Sequence, residues 1–270
     1  MPPRIAIPMP HSTDREYGER AIPQFERAVA LVGGEPVRIL LNQTPGEIKK
    51  VIDGCDAVLL PGSNADIDPA RFKQERSPHT AKADPRRDDV DVLLLDDAYT
   101  RRKPVLGICY GLQSLNVYHK GSLIQHIPEF LPEETRTKVN HEAGKKVAVA
   151  HTVEVDRNSY LARIVGGNPD RARQGLSRAG DGHAADRALA PEGSPLVVPV
   201  NSSHHQSADA IGEGLRVVGH CPDDGIIEAL EGTAQDHFVL AVQWHPERSV
   251  DDDAASRNIF RALIDAALGR

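Results

Sequence analysis

The stretch that most constrains the fold covers residues 104–118, PVLGICYGLQSLNVY, with Cys109 near its centre. The apolar run Val105–Ile108 is typical of a buried parallel strand, and the residues after the cysteine have helical spacing. Gly107 and Gly111 bracket the cysteine as G-x-C-x-G, a cysteine version of the nucleophile elbow. In such an elbow, residues without a Cβ let neighbouring backbone approach closely. The pattern therefore predicts Cys109 on a tight strand-to-helix turn.

That position favours a reactive thiol. At a helix N-terminus, unpaired N–H groups and the helix dipole stabilise a thiolate relative to a thiol. The alternative interpretation is a small buried core cysteine, which is what a lone cysteine usually is. The two glycines, the preceding strand and the following helix favour the nucleophile.

Length and charge narrow the function classes. The 270 residues carry a net charge of −7 and no basic stripe, which argues against nucleic acid or an anionic membrane as a partner. Three cysteines form no C-x-x-C pair, as expected for a reducing cytoplasm. We find no signal-peptide-like run and no membrane-spanning stretch, and no linker divides the chain. We expect a cytoplasmic protein with one domain, residues 1–270.

Apolar strands alternate with amphipathic helices along the chain, which predicts an α/β fold built from parallel βαβ units. Residues 65–88 are polar and proline-rich and are predicted to form a surface loop, and residues 164–194 a long mobile excursion. The predicted strands cover residues 4–7, 36–41, 57–60, 105–108, 146–155, 197–200, 215–219, 226–231 and 238–243, with the last three as hairpins or a meander. The predicted helices cover residues 17–32, 45–52, 89–101, 110–119 and 259–268.

Two chemistry-bearing segments are predicted to share one crevice. Ligands of parallel α/β sheets bind at the carboxyl ends of the strands. Residues 61–64, Pro-Gly-Ser-Asn, and Cys109 each follow such a strand. We therefore expect them to face the same cleft.

A third segment, Trp244-His245-Pro246-Glu247, ends the last predicted strand. A residue before proline favours an extended conformation, and residues i and i+2 of an extended chain point to the same side. Glu247 should therefore hold the imidazole of His245. An imidazole can take the proton of a thiol and return it to a leaving amine, while a carboxylate fixes its tautomer. The alternative is a surface turn with a solvated glutamate.

These segments together resemble a known family. The order LLPGS (59–63), GICYGLQ (107–113) and QWHPE (243–247) resembles the class I glutamine amidotransferase superfamily with its Cys-His-Glu triad. LPGSNADIDP (60–69), NSSHHQ (201–206) and DGIIEALE (224–231) resemble its γ-glutamyl-γ-aminobutyrate hydrolase branch, the C26 peptidases. The resemblance covers nearly the whole chain. It implies a flavodoxin-like three-layer α/β sandwich with a central, mostly parallel sheet.

The resemblance implies roles for individual residues. Cys109 would be the nucleophile, His245 its base and Glu247 the orienting carboxylate. Backbone N–H groups of Tyr110 and of Gly62 or Ser63 would form the oxyanion hole. The implied γ-glutamyl pocket is lined by Gln113, His204, His205 and Gln206.

The chain departs from the branch at two of these positions. The branch commonly has arginine after the nucleophile and a second glycine after Pro-Gly, where this chain has Tyr110 and Ser63. A tyrosine at that place occurs in some synthase-linked glutaminases. The departure leaves the exact substrate open.

Metal and cofactor chemistry receive little support from the sequence. Of the twelve histidines, His204 and His205 are adjacent and would point to opposite faces of a strand, and no H-E-x-x-H or Cys/His ligand spacing occurs. The acidic residues 251–253 are interpreted as helix caps, and Cys55 and Cys221 as packing residues. There is no nucleotide-binding glycine loop. We expect neither a metal nor a cofactor.

Three functions remain open. The first is a stand-alone hydrolase that acts on a small γ-glutamyl amide, as in polyamine catabolism, through a γ-glutamyl thioester. The second is a glutaminase subunit that supplies ammonia to a separate synthase. The third is a catalytically silent binding protein of the same fold. A homodimer is compatible with each of them.

Overall fold

A nine-stranded sheet forms the centre of the computed structural model, which describes residues 1–166 and 194–269. A separate pair, β5 and β8, lies outside this sheet. The strands are β1 Arg4–Pro8, β2 Glu35–Ile39, β3 Ala57–Leu60, β4 Val105–Ile108, β5 Leu123–Ile124, β6 His151–Val155, β7 Leu196–Val200, β8 Ser207–Ala208, β9 Leu215–His220, β10 Ile227–Gly232 and β11 Val239–Val242.

Helices connect the strands and cover the sheet. Short 3₁₀ turns occur at Pro69–Phe72, Ala143–Lys145 and Pro246–Arg248. The α-helices are α1 Arg15–Leu31, α2 Pro45–Ile52, α3 Pro85–Arg101, α4 Tyr110–Tyr118, α5 Ile127–Phe130, α6 Glu133–Arg136, α7 Tyr160–Val165 and α8 Ala254–Ala267. Within the described ranges, no helix has both the length and the apolar character needed to cross a bilayer.

The strand order in the large sheet is β2-β1-β3-β4-β11-β10-β9-β6-β7. Pairing is parallel from β2 to β11 and antiparallel from β11 to β7. Helices α1, α7 and α8 pack together on one face, and α2, α3 and α4 on the other. The result is the predicted three-layer α/β sandwich, and β9, β10 and β11 form the predicted meander.

The central strands are apolar throughout because both of their faces are covered. Every residue of β3, β4 and β11 is buried. Such continuous apolar runs are typical of parallel strands between two helical layers. These three strands are neighbours, and the segments that follow them meet at one edge of the sheet. The fold therefore brings residues 61–64, Cys109 and residues 244–247 together.

Helix α3 begins four residues earlier than the sequence predicted. Asp84 accepts a hydrogen bond from the Arg87 N–H, and Pro85 occupies the first turn, where its missing N–H costs nothing. The added turn contains Arg87 and Asp88, which are both buried. The prediction of a surface loop over 65–88 is therefore wrong at its end.

Two other predicted segments also differ. Only His151–Val155 of the predicted strand 146–155 forms a strand, since the alternation over 146–150 belongs to a turn and an irregular stretch. Within 65–88, Ala65 and Ile67 are buried and Pro69–Phe72 forms a 3₁₀ turn. Of the predicted excursion 164–194, residues 167–193 lie outside the described residues.

Candidate active site

Cys109 lies on the tight turn between β4 and α4, as the sequence predicted. Its backbone has φ 54° and ψ −106°, in the positive-φ region that residues with a Cβ seldom adopt. The Cys109 N–H donates to the carbonyl of Val242 on β11 at 2.8 Å, and its carbonyl accepts from Leu112 at 3.0 Å. Backbone strain of this kind persists only when neighbouring structure holds it, and it is concentrated at functional sites.

Glycines on either side of Cys109 make the turn possible. A Cβ on Gly111 would lie 2.1 Å from the carbonyl oxygen of Leu60 on β3, and a Cβ on Gly107 would lie 2.8 Å from the Gly111 backbone. Both neighbours are backbone atoms, which cannot move aside as a flexible side chain can. The first turn of α4 therefore packs directly on β3.

His245 and Glu247 form the predicted pair. The two side chains are buried, and His245 Nδ1 lies 2.7 Å from Glu247 Oε1. A hydrogen on Nδ1 that is donated to the carboxylate leaves Nε2 free to exchange a proton. The predicted reason for the pairing was wrong, because β11 ends at Val242 and Glu247 lies in the 3₁₀ turn Pro246–Arg248.

The charge state of His245 follows from its surroundings. Burial lowers its pKa, but the Glu247 carboxylate and the Cys109 thiol, through charge and hydrogen bonds, raise it to about 9. Cys109 is thus close enough to His245 to interact with it directly. At neutral pH the imidazole is protonated, which is the state that stabilises a neighbouring thiolate.

Asn201 holds the backbone of His245 at two points. Its Nδ2 donates to the carbonyl of His245 at 2.9 Å, and its Oδ1 accepts from the N–H of His245 at 2.9 Å. Asn201 is buried at the end of β7. The Asn201 side chain therefore fixes the position of the His245 backbone at the edge of the sheet, and with it the position of the imidazole. The sequence analysis used residues 201–206 as evidence of family resemblance and assigned substrate binding only to residues 204–206, so it did not reveal this role of Asn201.

The loop after β3 is held by a buried arginine. Arg87 is fully buried, and its guanidinium donates to the carbonyl of Pro61 at 2.7 Å and to the carboxylate of Asp91 at 2.7 Å. In a trans peptide the C=O and the next N–H point in opposite directions, so this bond sets the direction of the Gly62 N–H. A Cβ on Gly62 would lie 3.0 Å from His245 Cε1 and 3.6 Å from Cys109 Cβ. The Gly62 backbone therefore borders the catalytic candidates.

The side chain of Tyr110 belongs to the same buried network. Its ring lies under the Arg87 guanidinium, 4.8 Å from centroid to carbon, and its hydroxyl donates to Asp88. Burial raises the pKa of Asp88 to about 6, against the opposing effect of the Tyr110 hydrogen bond. Tyr110 is 1% exposed. Its side chain therefore serves packing, and the departure from arginine at this position does not by itself indicate a glutaminase.

A cavity of about 350 Å³ opens beside Cys109. Most of the residues predicted for the site line this cavity. Gly62 and Glu247 lie behind this lining, next to His245. The predicted residues that line the cavity are Ser63, Cys109, Tyr110, Gln113, His204, His205, Gln206 and His245.

The predicted substrate residues differ in what their side chains do. Gln113 donates to the carbonyl of Gln206 at 3.1 Å, and Gln206 donates to the carbonyl of Gln125 at 3.0 Å. His205 lies 3.1 Å from Asp66. His204 instead points away to Glu228, at 3.1 Å. The side chains of the two adjacent histidines thus point in opposite directions, as predicted. The side chain of His204 belongs to a buried cluster.

Three cationic side chains at the cavity were not identified from the sequence. Arg20 comes from α1, Lys145 from the turn Ala143–Lys145, and Arg248 follows the triad segment. No motif marks them, because they come from separate elements that only the fold brings together. They add positive charge to the cavity lining, which suits a carboxylate.

Comparison with known proteins identifies the family of this chain. The family model of peptidase C26 matches residues 5–178 and 182–247. A Mycobacterium tuberculosis protein that is named provisionally as a glutamine amidotransferase is 37% identical over 248 residues, covering 91% of this chain and 67% of its own length. The γ-glutamyl-γ-aminobutyrate hydrolase PuuD of Escherichia coli K12 is 30% identical over 247 residues, covering 90% of this chain and 84% of its own.

A solved structure is similar in fold. A Thermoplasma acidophilum protein, provisionally identified as one component of a GMP synthase, superposes with a TM-score of 0.58. The two sequences are 14% identical, and the match covers 100% of this chain and 96% of that one. At this identity the likeness establishes a shared fold and says nothing about the substrate.

Proposed function

The chain belongs to the peptidase C26 family, a family of glutamine amidotransferase-like hydrolases of carbon–nitrogen bonds, and we propose that it cleaves γ-glutamyl amides through Cys109. One observation carries the proposal. A strained cysteine and the histidine of a buried His-Glu pair at 2.7 Å line one cavity of about 350 Å³, and the backbone of Gly62 packs against both residues. This arrangement supplies a nucleophile, an acid-base group and backbone donors for acyl transfer.

In the first half of the proposed reaction, the Cys109 thiolate attacks the γ-carbonyl carbon and forms a C–S bond. The carbonyl oxygen gains the negative charge and accepts hydrogen bonds from backbone N–H groups of Tyr110 and of Gly62 or Ser63. Tyr110 begins α4, and N–H groups of a first helical turn have no partner within the helix. The protonated His245 then donates its Nε2 proton to the amide nitrogen, the C–N bond breaks, and the amine leaves.

In the second half, water attacks the thioester while neutral His245 takes one of its protons. The second tetrahedral intermediate collapses, the C–S bond breaks, and the γ-carboxyl group of glutamate is released and loses its remaining proton to solvent. The thiolate and the imidazolium of His245 are restored. Glu247 keeps the imidazole in one tautomer throughout, because its Oε1 accepts from Nδ1 in both halves.

Charges at the cavity support a γ-glutamyl substrate. A γ-glutamyl group carries an α-carboxylate and an α-ammonium. Arg20, Lys145 and Arg248 offer cationic partners for the carboxylate, and Asp66 offers an anionic partner for the ammonium. The E. coli relative of this chain is named for such a substrate, γ-glutamyl-γ-aminobutyrate.

The proposal is tested with the purified protein alone. Wild-type protein is incubated with γ-glutamyl amines, γ-glutamyl dipeptides and free glutamine, and glutamate release is measured. Cys109→Ser removes the nucleophile, and Cys55→Ser is the matched control because Cys55 is an equally buried free cysteine outside the cavity. We expect release by wild type and Cys55→Ser and none by Cys109→Ser.

The same panel separates the other functions. Release only from glutamine, and only when a synthase is added, would replace the hydrolase with a glutaminase subunit. Saturable binding of γ-glutamyl amides without any release by folded protein would replace it with a silent binding protein. Equal release by wild type and Cys109→Ser would overturn the role of Cys109.

A further inference from the structure

Four buried side chains from separate segments converge behind the cavity, and no step of the proposed reaction uses them. His141 follows α6, His151 is on β6, His204 lies in the 201–206 segment, and Glu228 is on β10. Their side chains are at most 3% exposed. One nitrogen from each histidine and one carboxylate oxygen all lie within 4.8 Å of one another.

Each histidine offers the cluster one nitrogen and uses its other nitrogen elsewhere. His141 Nε2 lies 2.8 Å from the Asp224 carboxylate, His151 Nδ1 lies 3.0 Å from the carbonyl of Thr152, and His204 Nδ1 lies 2.8 Å from the carbonyl of Gln206. Each partner is an acceptor, so each of these nitrogens carries the hydrogen. A metal-bound histidine usually donates its other ring N–H to a carboxylate or a backbone carbonyl in this way.

The inward nitrogens converge on a single oxygen. Glu228 Oε1 lies 3.1 Å from His141 Nδ1, 3.3 Å from His151 Nε2 and 3.1 Å from His204 Nε2. A carboxylate oxygen has about two lone-pair positions. The third contact is accordingly imperfect: among the described residues, His151 Nε2 is buried and has no hydrogen bond of proper alignment.

A divalent cation also suits the charges of the cluster. With three neutral imidazoles and the carboxylates of Glu228 and Asp224, such an ion makes the site electrically neutral, whereas an unbalanced buried charge would be costly.

The distances from Glu228 Oε1 to the three histidine nitrogens fit a tetrahedral ion. With metal-ligand bonds of about 2.0–2.1 Å, adjacent ligand atoms of a tetrahedron lie about 3.3 Å apart. The three distances from Glu228 Oε1 are 3.1 to 3.3 Å. The three oxygen–nitrogen edges of a tetrahedron therefore already have the right length, and the three nitrogens lie within 4.8 Å of one another.

We propose that His141, His151, His204 and Glu228 bind one divalent transition-metal ion, with Zn²⁺ as the best match, in a closed structural site. Three imidazoles and one carboxylate are donors that Zn²⁺ accepts in tetrahedral geometry. All four positions are filled by protein, so no position remains for substrate or a reactive water. The ion would take no part in the chemical steps of the proposed hydrolysis.

The ion would brace the segment that positions the triad. Ser202 donates to Glu228 Oε2 at 3.0 Å, and its neighbour Asn201 holds the backbone of His245. His204 belongs to the same segment as both. A metal bound to Glu228 and His204 would thus fix residues 201–206 on β10, next to the strand that leads to His245.

Metal binding is tested on untagged full-length protein, since a histidine tag binds the same ions. The protein is stripped with a chelator and titrated with Co²⁺, which gives intense visible absorption when four-coordinate and weak absorption when six-coordinate. We expect the intense bands to saturate at one equivalent and to disappear on addition of Zn²⁺. X-ray absorption of the Zn²⁺ form should show four nitrogen or oxygen ligands at about 2.0 Å.

Three variants test which residues bind the ion. His151→Gln removes a ligand and should abolish the four-coordinate spectrum. In Asp224→Asn the amide would donate to His141 Nε2, which moves the imidazole hydrogen to Nδ1 and opposes coordination; loss of such a partner weakens binding by about 10–100-fold. His220→Gln is the control, because His220 is a half-exposed histidine on neighbouring β9 and should bind as wild type does.

Several results would overturn the site. They are a six-coordinate Co²⁺ spectrum, the absence of binding by stripped wild-type protein, or affinities for Co²⁺ that are equal in wild type, His151→Gln and Asp224→Asn. If His151→Gln does not fold, the X-ray absorption of wild type decides, since a first shell without imidazoles contradicts the proposal.

Discussion

Replacement of Gly111 by alanine tests how tightly the elbow is built. The added Cβ would lie 2.1 Å from the carbonyl oxygen of Leu60, whereas real Cβ contacts are not shorter than 3.0 Å. The start of α4 must therefore move away from β3 by about 0.9 Å. Because Cys109 immediately precedes this helix, its thiol moves with it.

The size of the effect follows from that displacement. Overpacking of a buried contact costs about 1–3 kcal/mol of unfolding free energy, and a rigid backbone neighbour places Gly111→Ala at the upper end. A misplacement of about 1 Å at a reacting group can lower kcat about 100-fold. We therefore expect a loss of about 3 kcal/mol in stability together with a loss of about 100-fold in kcat.

Urea denaturation and steady-state glutamate release measure the two effects. Gly46→Ala is the matched control, since a Cβ at Gly46 of α2 meets nothing within 4 Å and alanine is the better helix former. It should leave kcat unchanged and be neutral or stabilising by up to about 1 kcal/mol. A Gly111→Ala protein with the stability and kcat of wild type would refute the close packing of the elbow.

Three further predictions concern the triad and its supports. With the pKa of His245 at about 9, the imidazolium that protonates the leaving amine persists up to that pH, so kcat/KM should fall above pH 9, and at a lower pH in Glu247→Gln. Asn201→Ala leaves the N–H of His245 unpaired and its carbonyl with the longer bond from the Arg248 N–H, at 3.2 Å, and should cost about 1–3 kcal/mol of stability and up to about 100-fold in kcat. Arg87→Met leaves Asp91 as an unpaired buried charge and should cost about 3–5 kcal/mol.

Exposed residues of the same type provide the controls. Asn158→Ala and Arg86→Met alter side chains at the surface and should match wild type in stability and kcat. If Glu247→Gln does not shift the fall in kcat/KM at alkaline pH, the assigned charge state of His245 is contradicted. Asn201→Ala or Arg87→Met with wild-type values would show that these contacts do not position the site.

The pH dependence of stability has a definite sign. The pKa of His245 is raised from its ordinary 6.5 to about 9 in the folded protein. The resulting stabilisation is complete below pH 6.5 and is lost as the pH rises to 9. Unfolding free energy should therefore fall over this range in wild type, and fall less in His245→Gln.

The elbow and the His-Glu pair could be predicted because short sequence stretches determine them. Two glycines around Cys109, an apolar strand before it and helical spacing after it leave few other conformations. His245 and Glu247 are close in the chain, so almost any compact turn brings them together. For that reason their contact was predicted correctly, although Glu247 lies in a 3₁₀ turn that His245 precedes, and neither residue is on a strand.

The supports of the site could not be predicted, because they come from distant segments. Arg87 and Asp91 are charged residues in a polar-looking stretch, and only the packing of α3 against the loop after β3 shows that they are buried. His141, His151 and Glu228 match no ligand spacing, since each lies on a different segment. The sequence analysis expected no metal because it searched for ligand spacing along the chain, and such spacing cannot reveal this cluster.

The most direct test of the proposed hydrolase is detection of the thioester on Cys109. His245→Gln protein lacks the base for the second half of the reaction, so the acyl form should accumulate when it meets a γ-glutamyl amide with an activated leaving group. Intact-mass and peptide mass spectrometry should then find one γ-glutamyl group on Cys109 and none in Cys109→Ser. Glutamate release by wild type without any adduct at Cys109, or an adduct that survives Cys109→Ser, would contradict covalent catalysis by this residue.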